Sequence, residues 1–300
     1  MGVVEHIHVS AEAGGPMQSL EEASAVRGSG LAGDRYANGK GYWSDARVSR
    51  DLTLIESEVV EELSREHGVT LAPGGTRRNV TTRGVRLNDL VGRHFWIGDV
   101  LCAGTGLCEP CRHLEQLTGQ RLLRPMIHRG GLRADVLTRG VIRTGDSMDP
   151  VDEAPGVGVV VVRDERVLLG RRLAAHGRGT WSTPGGKPVE GETVVACAIR
   201  ELCEETSLEA GSLRIVAETL DGFPDSRLVY RTRFVEVDRL EGEPRVREPD
   251  KTESWSWHGW DDLPQPLFAP VASLVATGYR PTVTGHHQAP IRPARKSRCR

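Results

Sequence analysis

Apolar and polar residues alternate roughly from Val3 to Val9, which predicts a strand with one buried face. Loop chemistry follows, with glycines at 14, 15, 28, 30 and 33. Leu54 to Glu66 reads as an amphipathic helix, with Ile55, Val59 and Leu63 spaced by four and Gly68 as the stop. Arg78 to Thr82 reads as a strand, and Phe95 to Thr105 as a hairpin around Gly98-Asp99. A short helix opens at Pro110, runs through Leu117 and stops at Gly119. Short strands with Gly turns continue to Gly145-Asp146. The mixture is mostly β and predicts a small barrel with helices around it.

The pattern then changes. Asp149 to Gly156 is polar and Pro-rich and reads as a linker over 149–156. Val157 to Val162 is a near-continuous apolar run, the signature of a strand buried on both faces. Asp164-Glu165 turns it, and Val167 to Gly170 returns. Thr193 is a good N-cap for a helix that follows. Leu213 to Leu220 and Arg227 to Val237 read as further strands, and Lys251 to Trp257 as the last one.

The 300 residues suggest two domains, and a hydrophobic fraction of 38% with net charge −2 fits a soluble globular chain. The charge balance gives no reason to expect bulk nucleic acid as a partner. No apolar run approaches the ~18–20 residues of a membrane span, and the first residues lack a secretory pattern. Six cysteines are too few and too irregular for a disulfide framework, so the expected compartment is the reducing cytoplasm.

The chemistry concentrates in the second half. At about 100° per residue, Glu204 and Glu205 fall about 60° and 40° to either side of Glu201, and Arg200 about 100° away. Val195, Ala198, Ile199 and Leu202 gather on a different face. Such a row of acids is usually a solvated helix face. Here it follows the turn Gly185-Gly186, and carboxylates beside a glycine turn suit hard divalent cations. The basic cluster Arg171, Arg172, His176 and Arg178 precedes it, either as phosphate counter-charge or as a solvated loop.

For the acid row, the spacing of the whole stretch decides between a solvated face and a metal site. From Gly186, five residues lead to Glu192 and seven more to Arg200-Glu201, then Leu202, Glu204 and Glu205. This resembles the Nudix box, G-x5-E-x7-R-E-U-x-E-E-x-G-U with U apolar, and one fixed position departs, Ser207 standing where the family has glycine. The departure bears on the helix C-cap and leaves the acids intact. The Lys251–Trp257 run, with Trp260, Leu263 and Pro264 after it, is similar to the segment that closes the sheet in the MutT-like branch.

The resemblance implies an α/β/α sandwich with a mixed sheet over 157–278, and Mg2+-dependent (or Mn2+-dependent) cleavage of the pyrophosphate of a nucleoside di- or triphosphate derivative. It implies that Glu201, Glu204, Glu205 and a carbonyl of Gly185 hold the metal. Glu201, Glu204 and Arg200 carry the catalytic role, and Glu192 supports them from behind. Glu253 is either an outer metal ligand or base, or a plain strand-edge glutamate. Arg171, Trp181, Lys187 and Glu253 are the candidate substrate contacts, with Trp181 either stacking a base or belonging to the core.

The first half carries Cys102, Cys108 and Cys111, with Cys108-Glu109-Pro110-Cys111 as a C-x-x-C. A zinc site would need His113 as fourth ligand, and a redox site would need a βαβ pattern that is missing. Gly30 to Arg35, Arg78-Asn79-Val80, Gly98-Asp99-Val100, the C-x-x-C, His128 to Gly131 with Ala134, and Gly140 to Asp146 together resemble a MOSC domain. The resemblance covers roughly 1–148 and implies a β-barrel. It implies that Cys111 carries or transfers sulfur, or contacts a molybdenum cofactor. Arg78, His128 and Arg129 would then bind an anionic group, or would pair with Asp34 or Asp135. Residues 279–300 are expected as a disordered basic tail. The expected partner is a small-molecule nucleotide, and the oligomeric state is left open, a dimer included. The rival reading is a sulfur-carrier or molybdenum-cofactor protein whose second half is regulatory.

Overall fold

The structure, a computed structural model, describes residues 2–44, 51–237 and 240–282. The chain divides into two compact units, residues 1–152 with 222–228, and residues 153–221 with 229–300.

The first unit is a closed barrel of seven strands: β1 (Gly2–Val9), β2 (Leu52–Glu56), β3 (Val80–Arg83), β4 (His94–Ile97), β5 (Val100–Leu107), β6 (Leu132–Val136) and β7 (Ser147–Val151). Round the barrel the order is β7-β4-β5-β6-β2-β3-β1, and β1 closes on β7 through Gly2↔Met148 and Val3↔Ser147. Its interior is apolar, with Ile7, Leu54, Val80, Phe95, Ile97 and Leu132 fully buried. The helices α1 (Ser57–His67) and α2 (Arg112–Thr118) share a second cluster, in which Val59 and Leu63 meet Leu114, Leu122 and Met126. Both helices end as the sequence predicts, on the left-handed glycines Gly68 and Gly119.

Two expectations are corrected here. The stretch Leu54 to Glu66 is a helix only from Ser57. Leu54 and Ile55 belong to β2, where parallel pairing to Val80 and Thr81 outweighs the helical spacing, although Ile55 packs in the same cluster as Val59 and Leu63. The 149–156 stretch is not a loop either. β7 runs to Val151, and the next strand starts at Glu153, so of this stretch only Asp152 lies outside a strand.

The second unit is built on a mixed sheet: β8 (Glu153–Arg163), β9 (Arg166–Arg172), β10 (Leu213–Phe223), β11 (Leu228–Val237) and β12 (Thr252–Gly259). β8 is parallel to β11 from Glu153↔Val229 to Val161↔Val237 and antiparallel to β9, which also pairs with β12. Along β8 the side chains alternate between two helices. Val157, Val159 and Val161 pack with Cys197, Ala198 and Leu202 of α3 (Val194–Thr206). Val160 packs instead with Val271 and Leu274 of α4 (Ala269–Ala276). Helices on both faces explain why the run is apolar at every position rather than at alternate ones. This is the α/β/α sandwich the motif implies. Among the described residues no helix is long and apolar enough to cross a membrane. Of the expected 279–300 tail, Tyr279 donates its hydroxyl to Glu236, and 283–300 lie outside the described residues.

Candidate functional site

The acidic row is set up by a two-residue strand and a helix. Gly185-Gly186 pairs antiparallel with Val157 and Gly158 of β8, ahead of α3. The pairing is tight. A Cβ on Gly185, whose φ is 151°, would run into the Val157 carbonyl, and a Cβ on Gly186 would occupy the place of the Glu201 carboxylate. So the turn needs glycine for two different reasons, and the second brings Glu201 against the backbone. Thr193 caps α3 by accepting from the Ala196 amide at 3.2 Å. Ser207 takes the left-handed C-cap (φ 61°), and its amide donates to the Cys203 carbonyl. The conformation expected of glycine is therefore kept by a serine.

Arg200 organises the acids. Its Nε and Nη2 donate to the two oxygens of Glu192, each at 2.9 Å. Nη1 donates to Glu201 at 2.7 Å and to Glu204 at 3.1 Å, and Nη2 also reaches the Lys187 carbonyl at 3.1 Å. This fork, with the Val189 amide behind it, holds the Glu192 carboxyl down at about 2. Glu204 is the open member, its side chain 56% exposed against 14% for Glu201. Glu205 accepts from the Gly185 amide at 3.0 Å. Burial nevertheless pushes it up to about 7, with Glu201 and Glu248 adding like-charge repulsion and the Gly185 amide and Arg172 opposing them.

The same two glycines border a cavity of about 160 Å3. Its walls include Tyr230, Phe234 and Phe268, and its charges are Arg172 and Lys187. The Arg172 guanidinium lies 4.3 Å over the Phe268 ring while its Nε donates to the His176 carbonyl. The Lys187 ammonium lies 5.0 Å over the Tyr230 ring. Glycine turn, acid row and cavity thus meet at one place.

Of the residues picked from the sequence, Gly185, Lys187, Arg200, Glu201, Glu204 and Glu205 come together here. Trp181 does not line the cavity. It packs edge-on to His258 at 5.1 Å and joins the cluster beneath α4. Arg171 and Glu253 pair with each other at 3.3 Å, half exposed, and neither lines the cavity. The sequence reasoning chose Arg171, and the neighbouring Arg172 lines the cavity instead. It also passed over Tyr230, Phe268 and Glu248, the last held by Lys251 at 2.8 Å. The signal for Arg172 lay in the basic cluster; the aromatic pair had none.

Glu201, Glu204 and Glu205 offer only hard oxygen donors, and Glu205 is a carboxylate short of counter-charge. Both suit Mg2+ or Mn2+. In the arrangement described, Arg200 supplies counter-charge to Glu201 and Glu204 but does not bond Glu205, and no three His, Cys, Asp or Glu among the described residues converge on a common point. This applies equally to Cys108, Cys111 and His113, so the arrangement lends no support to zinc there.

In the barrel, Cys111 is the partly exposed N-cap of α2 and lines a small cavity with Arg35, Arg77, Arg78, Tyr42 and His113. The imagined anion-binding trio does not assemble. Arg78 is buried and donates to three carbonyls, of Gly130 at 2.8 Å, Cys108 at 2.6 Å and Thr76 at 3.1 Å. His128 pairs with Glu109 at 3.0 Å, Arg129 with Glu62 at 2.8 Å, and neither lines the Cys111 cavity. These three residues therefore do not fit a molybdenum cofactor as a set. Nor do they pair with Asp34 or Asp135. Cys102 is sealed in the barrel, where burial pushes its thiol far up.

A family model described as NUDIX domain matches residues 152–277, and one described as MOSC domain matches 34–149. An oxidized purine nucleoside triphosphate hydrolase from Mus musculus is 33% identical over 106 residues, 35% of this chain and 66% of that protein. The chain thus spans 66% of the length of that curated relative. A crystal structure of a MutT NUDIX hydrolase from Burkholderia pseudomallei is 33% identical, with 41% of this chain and 97% of that chain covered and a TM-score of 0.40. The YuaD protein from Bacillus subtilis is 16% identical, with 50% of this chain and 96% of that chain covered and a TM-score of 0.42.

Proposed function

We propose that this chain, which joins a MOSC domain to a NUDIX domain, hydrolyses the diphosphate linkage of a nucleoside di- or triphosphate derivative at the acid row of α3. The observation that carries this reading is the shared border: Gly185 and Gly186 touch both the acids and the aromatic cavity. A nucleotide with its ring in the cavity lays its phosphates across the turn.

Glu201, Glu204 and Glu205 would hold Mg2+ or Mn2+ with the Gly185 backbone, and the bound ion neutralises phosphate charge. The chain's own residues do the rest. Arg200 is a positioning residue, since it touches carboxylates of the protein and fixes Glu192, Glu201 and Glu204 relative to one another. Lys187 and Arg172 add positive charge on the cavity side. Water attacks phosphorus, the bridging P–O bond breaks, and the proton of the water passes to a carboxylate of the row. Glu204 is the member with open access to solvent.

The test is a screen for phosphate and pyrophosphate release over nucleoside triphosphates, nucleotide sugars and dinucleotides, with and without Mg2+. Release that needs the ion supports the reading, and none from any nucleotide overturns it. A second reading, action through Cys111 with the other half regulatory, is favoured by the partial exposure of that thiol in a cavity. It requires Cys111→Ser to abolish a persulfide detectable by mass on the purified chain.

A further inference from the structure

The cavity beside Cys111 in the barrel is poor in negative charge. Arg35, Arg77 and Arg78 line it, and Glu109 is its one carboxylate among the described residues. Glu109 is engaged by His128, whose amide donates to it at 2.9 Å and whose Nδ1 lies at 3.0 Å. The three arginines differ. Arg35 is paired with Asp34 at 3.0 Å, and Arg78 gives its donors to three carbonyls. Arg77 is half-buried, and its side chain reaches the Gly15 carbonyl but no carboxylate among the described residues. Burial and the charge of Arg35 push its guanidinium down from the ordinary value, with Asp34 and Tyr36 opposing. A guanidinium held this way has donors and charge to offer an anion.

The space is small. It measures about 60 Å3, against about 160 Å3 for the cavity assigned to a nucleotide ring. At about 10–15 Å3 for each water, that is room for a few waters or one compact ion, and a fused pterin ring is too large for it. The geometry points to a site for a small oxyanion of the sulfate or phosphate type, held by Arg77 next to the Cys111 thiol, in place of the molybdenum cofactor that the family implies there. The thiol is partly exposed. Tyr42, stacked on His113 at 3.9 Å, and Trp43 are the exposed aromatic part of the lining. An oxyanion seated on Arg77 covers the thiol. In its absence the same charge draws anionic reagents to the sulfur. The site is independent of the hydrolase reading, because no residue of the acid row takes part.

The experiment alkylates Cys111 in the full chain with anionic iodoacetate and with neutral iodoacetamide, read at that residue by fragment mass. Each reagent forms the S–C bond, releases iodide with the C–I electron pair and leaves the thiol proton to the buffer. Both attack the same sulfur, so the ratio of their rates reports the local charge and cancels the reactivity of the thiol. The iodoacetate-to-iodoacetamide ratio is expected to be about 10-fold or more higher in the folded chain than in the urea-unfolded chain. Arg77→Met should bring it to within about threefold of the unfolded value, and Arg77→Lys should keep most of it. In a second arm, millimolar sulfate or phosphate should slow iodoacetamide at Cys111 saturably, and chloride at equal ionic strength should not. That arm uses the unsubstituted chain, so it decides the matter even where Arg77→Met does not fold. Phenyl phosphate run alongside separates the sources. Protection at lower concentration than inorganic phosphate marks the charged head of a larger ligand, equal concentrations mark the free ion, and either supports the site. No protection by either inorganic oxyanion overturns the site whatever the ratio, as does protection by a neutral pterin where the oxyanions fail. A ratio that survives Arg77→Met overturns the assignment to that arginine.

Discussion

The two halves of the chain treat their charged groups in opposite ways. In the barrel, Asp34 accepts from four donors: the Ser10 amide at 3.2 Å, the Tyr36 amide at 3.1 Å, Asn79 Nδ2 at 3.0 Å and Arg35 Nη1 at 3.0 Å. Asn79 in turn accepts from both the amide and the hydroxyl of Thr53. Arg78 meets three carbonyls. These groups knit the 30–35 loop and the start of β3 to the barrel. Around α3, by contrast, Glu192 ahead of the helix and Glu201 and Glu204 on it share the one Arg200, and Glu205 has one amide and the charge of Arg172 against its burial. The difference separates architecture from chemistry. A buried charge with all its bonds made is a strut, whereas like charges held together with too little counter-charge await a ligand.

The strongest way to break this comparison is to remove a strut. Arg78→Met leaves the Gly130, Cys108 and Thr76 carbonyls without that donor. One buried acceptor left unsatisfied costs about 1–3 kcal/mol, so the expected loss for the three is about 3 kcal/mol or more. Denaturant unfolding followed through the buried Trp96 reads it, and a midpoint within error of wild type would show the arginine to be free for a ligand. The matching change on α3 should act on rate and spare stability. Glu204→Gln is expected to lower turnover by about 100-fold or more, equal to about 2.7 kcal/mol of barrier, with an unchanged unfolding midpoint. Hydrolysis near the wild-type rate would return the acid row to an ordinary solvated face.

The contrast also marks how far the sequence could be read. Helical spacing alone puts Glu201, Glu204 and Glu205 together, because every turn of α3 repeats the same geometry. The barrel and the sandwich were legible from the motif order and from the doubly buried run at Val157 to Val162. The choice between Arg171 and Arg172 was not. Strand residues alternate faces, but the register of β9 against β12 shifts between Gly170 and Arg172, and one irregularity there reverses which arginine meets the cavity. Tyr230 and Phe268 come from distant parts of the chain and carry no local sign of meeting. Arg78 looked like an anion site because a guanidinium offers the same donors to a phosphate as to backbone carbonyls, and only the fold shows the carbonyls in place. The disagreement at Leu54 and Ile55 has a similar source, since spacing by four is compatible with a strand that leads into a helix on the same core.

A third test sharpens the comparison through pH. Glu205 titrates near 7 in the fold, above the 4.5 ordinary for this side chain. A raised carboxyl binds its proton more tightly folded than unfolded. Its contribution is therefore complete below about 4.5 and is lost as pH rises through about 7, at no more than about 1.4 kcal/mol per pH unit. Without divalent ions, the stability of the second unit should fall across this window, and the fall should vanish in Glu205→Gln. Adding Mg2+ should raise the melting temperature more at pH 8 than at pH 5, because the ion competes with the proton for the same oxygens. Equal Mg2+ effects at both values would take Glu205 out of the metal site.

The smallest expected effect concerns the one position where the box departs from its pattern. Ser207 holds φ 61° and ψ 15° at the end of α3, a conformation that crowds a Cβ and suits glycine. Its amide bond to the Cys203 carbonyl is a backbone interaction, so glycine would keep it. Ser207→Gly removes the strain and adds freedom to the unfolded chain, two terms of opposite sign and about 1 kcal/mol each. The strain relief is the larger, and a net gain of up to about 1 kcal/mol is expected in the unfolding of the second unit. Turnover should not change, because the cap lies beyond Glu205 and does not alter the face on which the acids stand. A rate change in Ser207→Gly at constant stability would show that the helix end and the acid row are mechanically linked, and that the serine is part of the site.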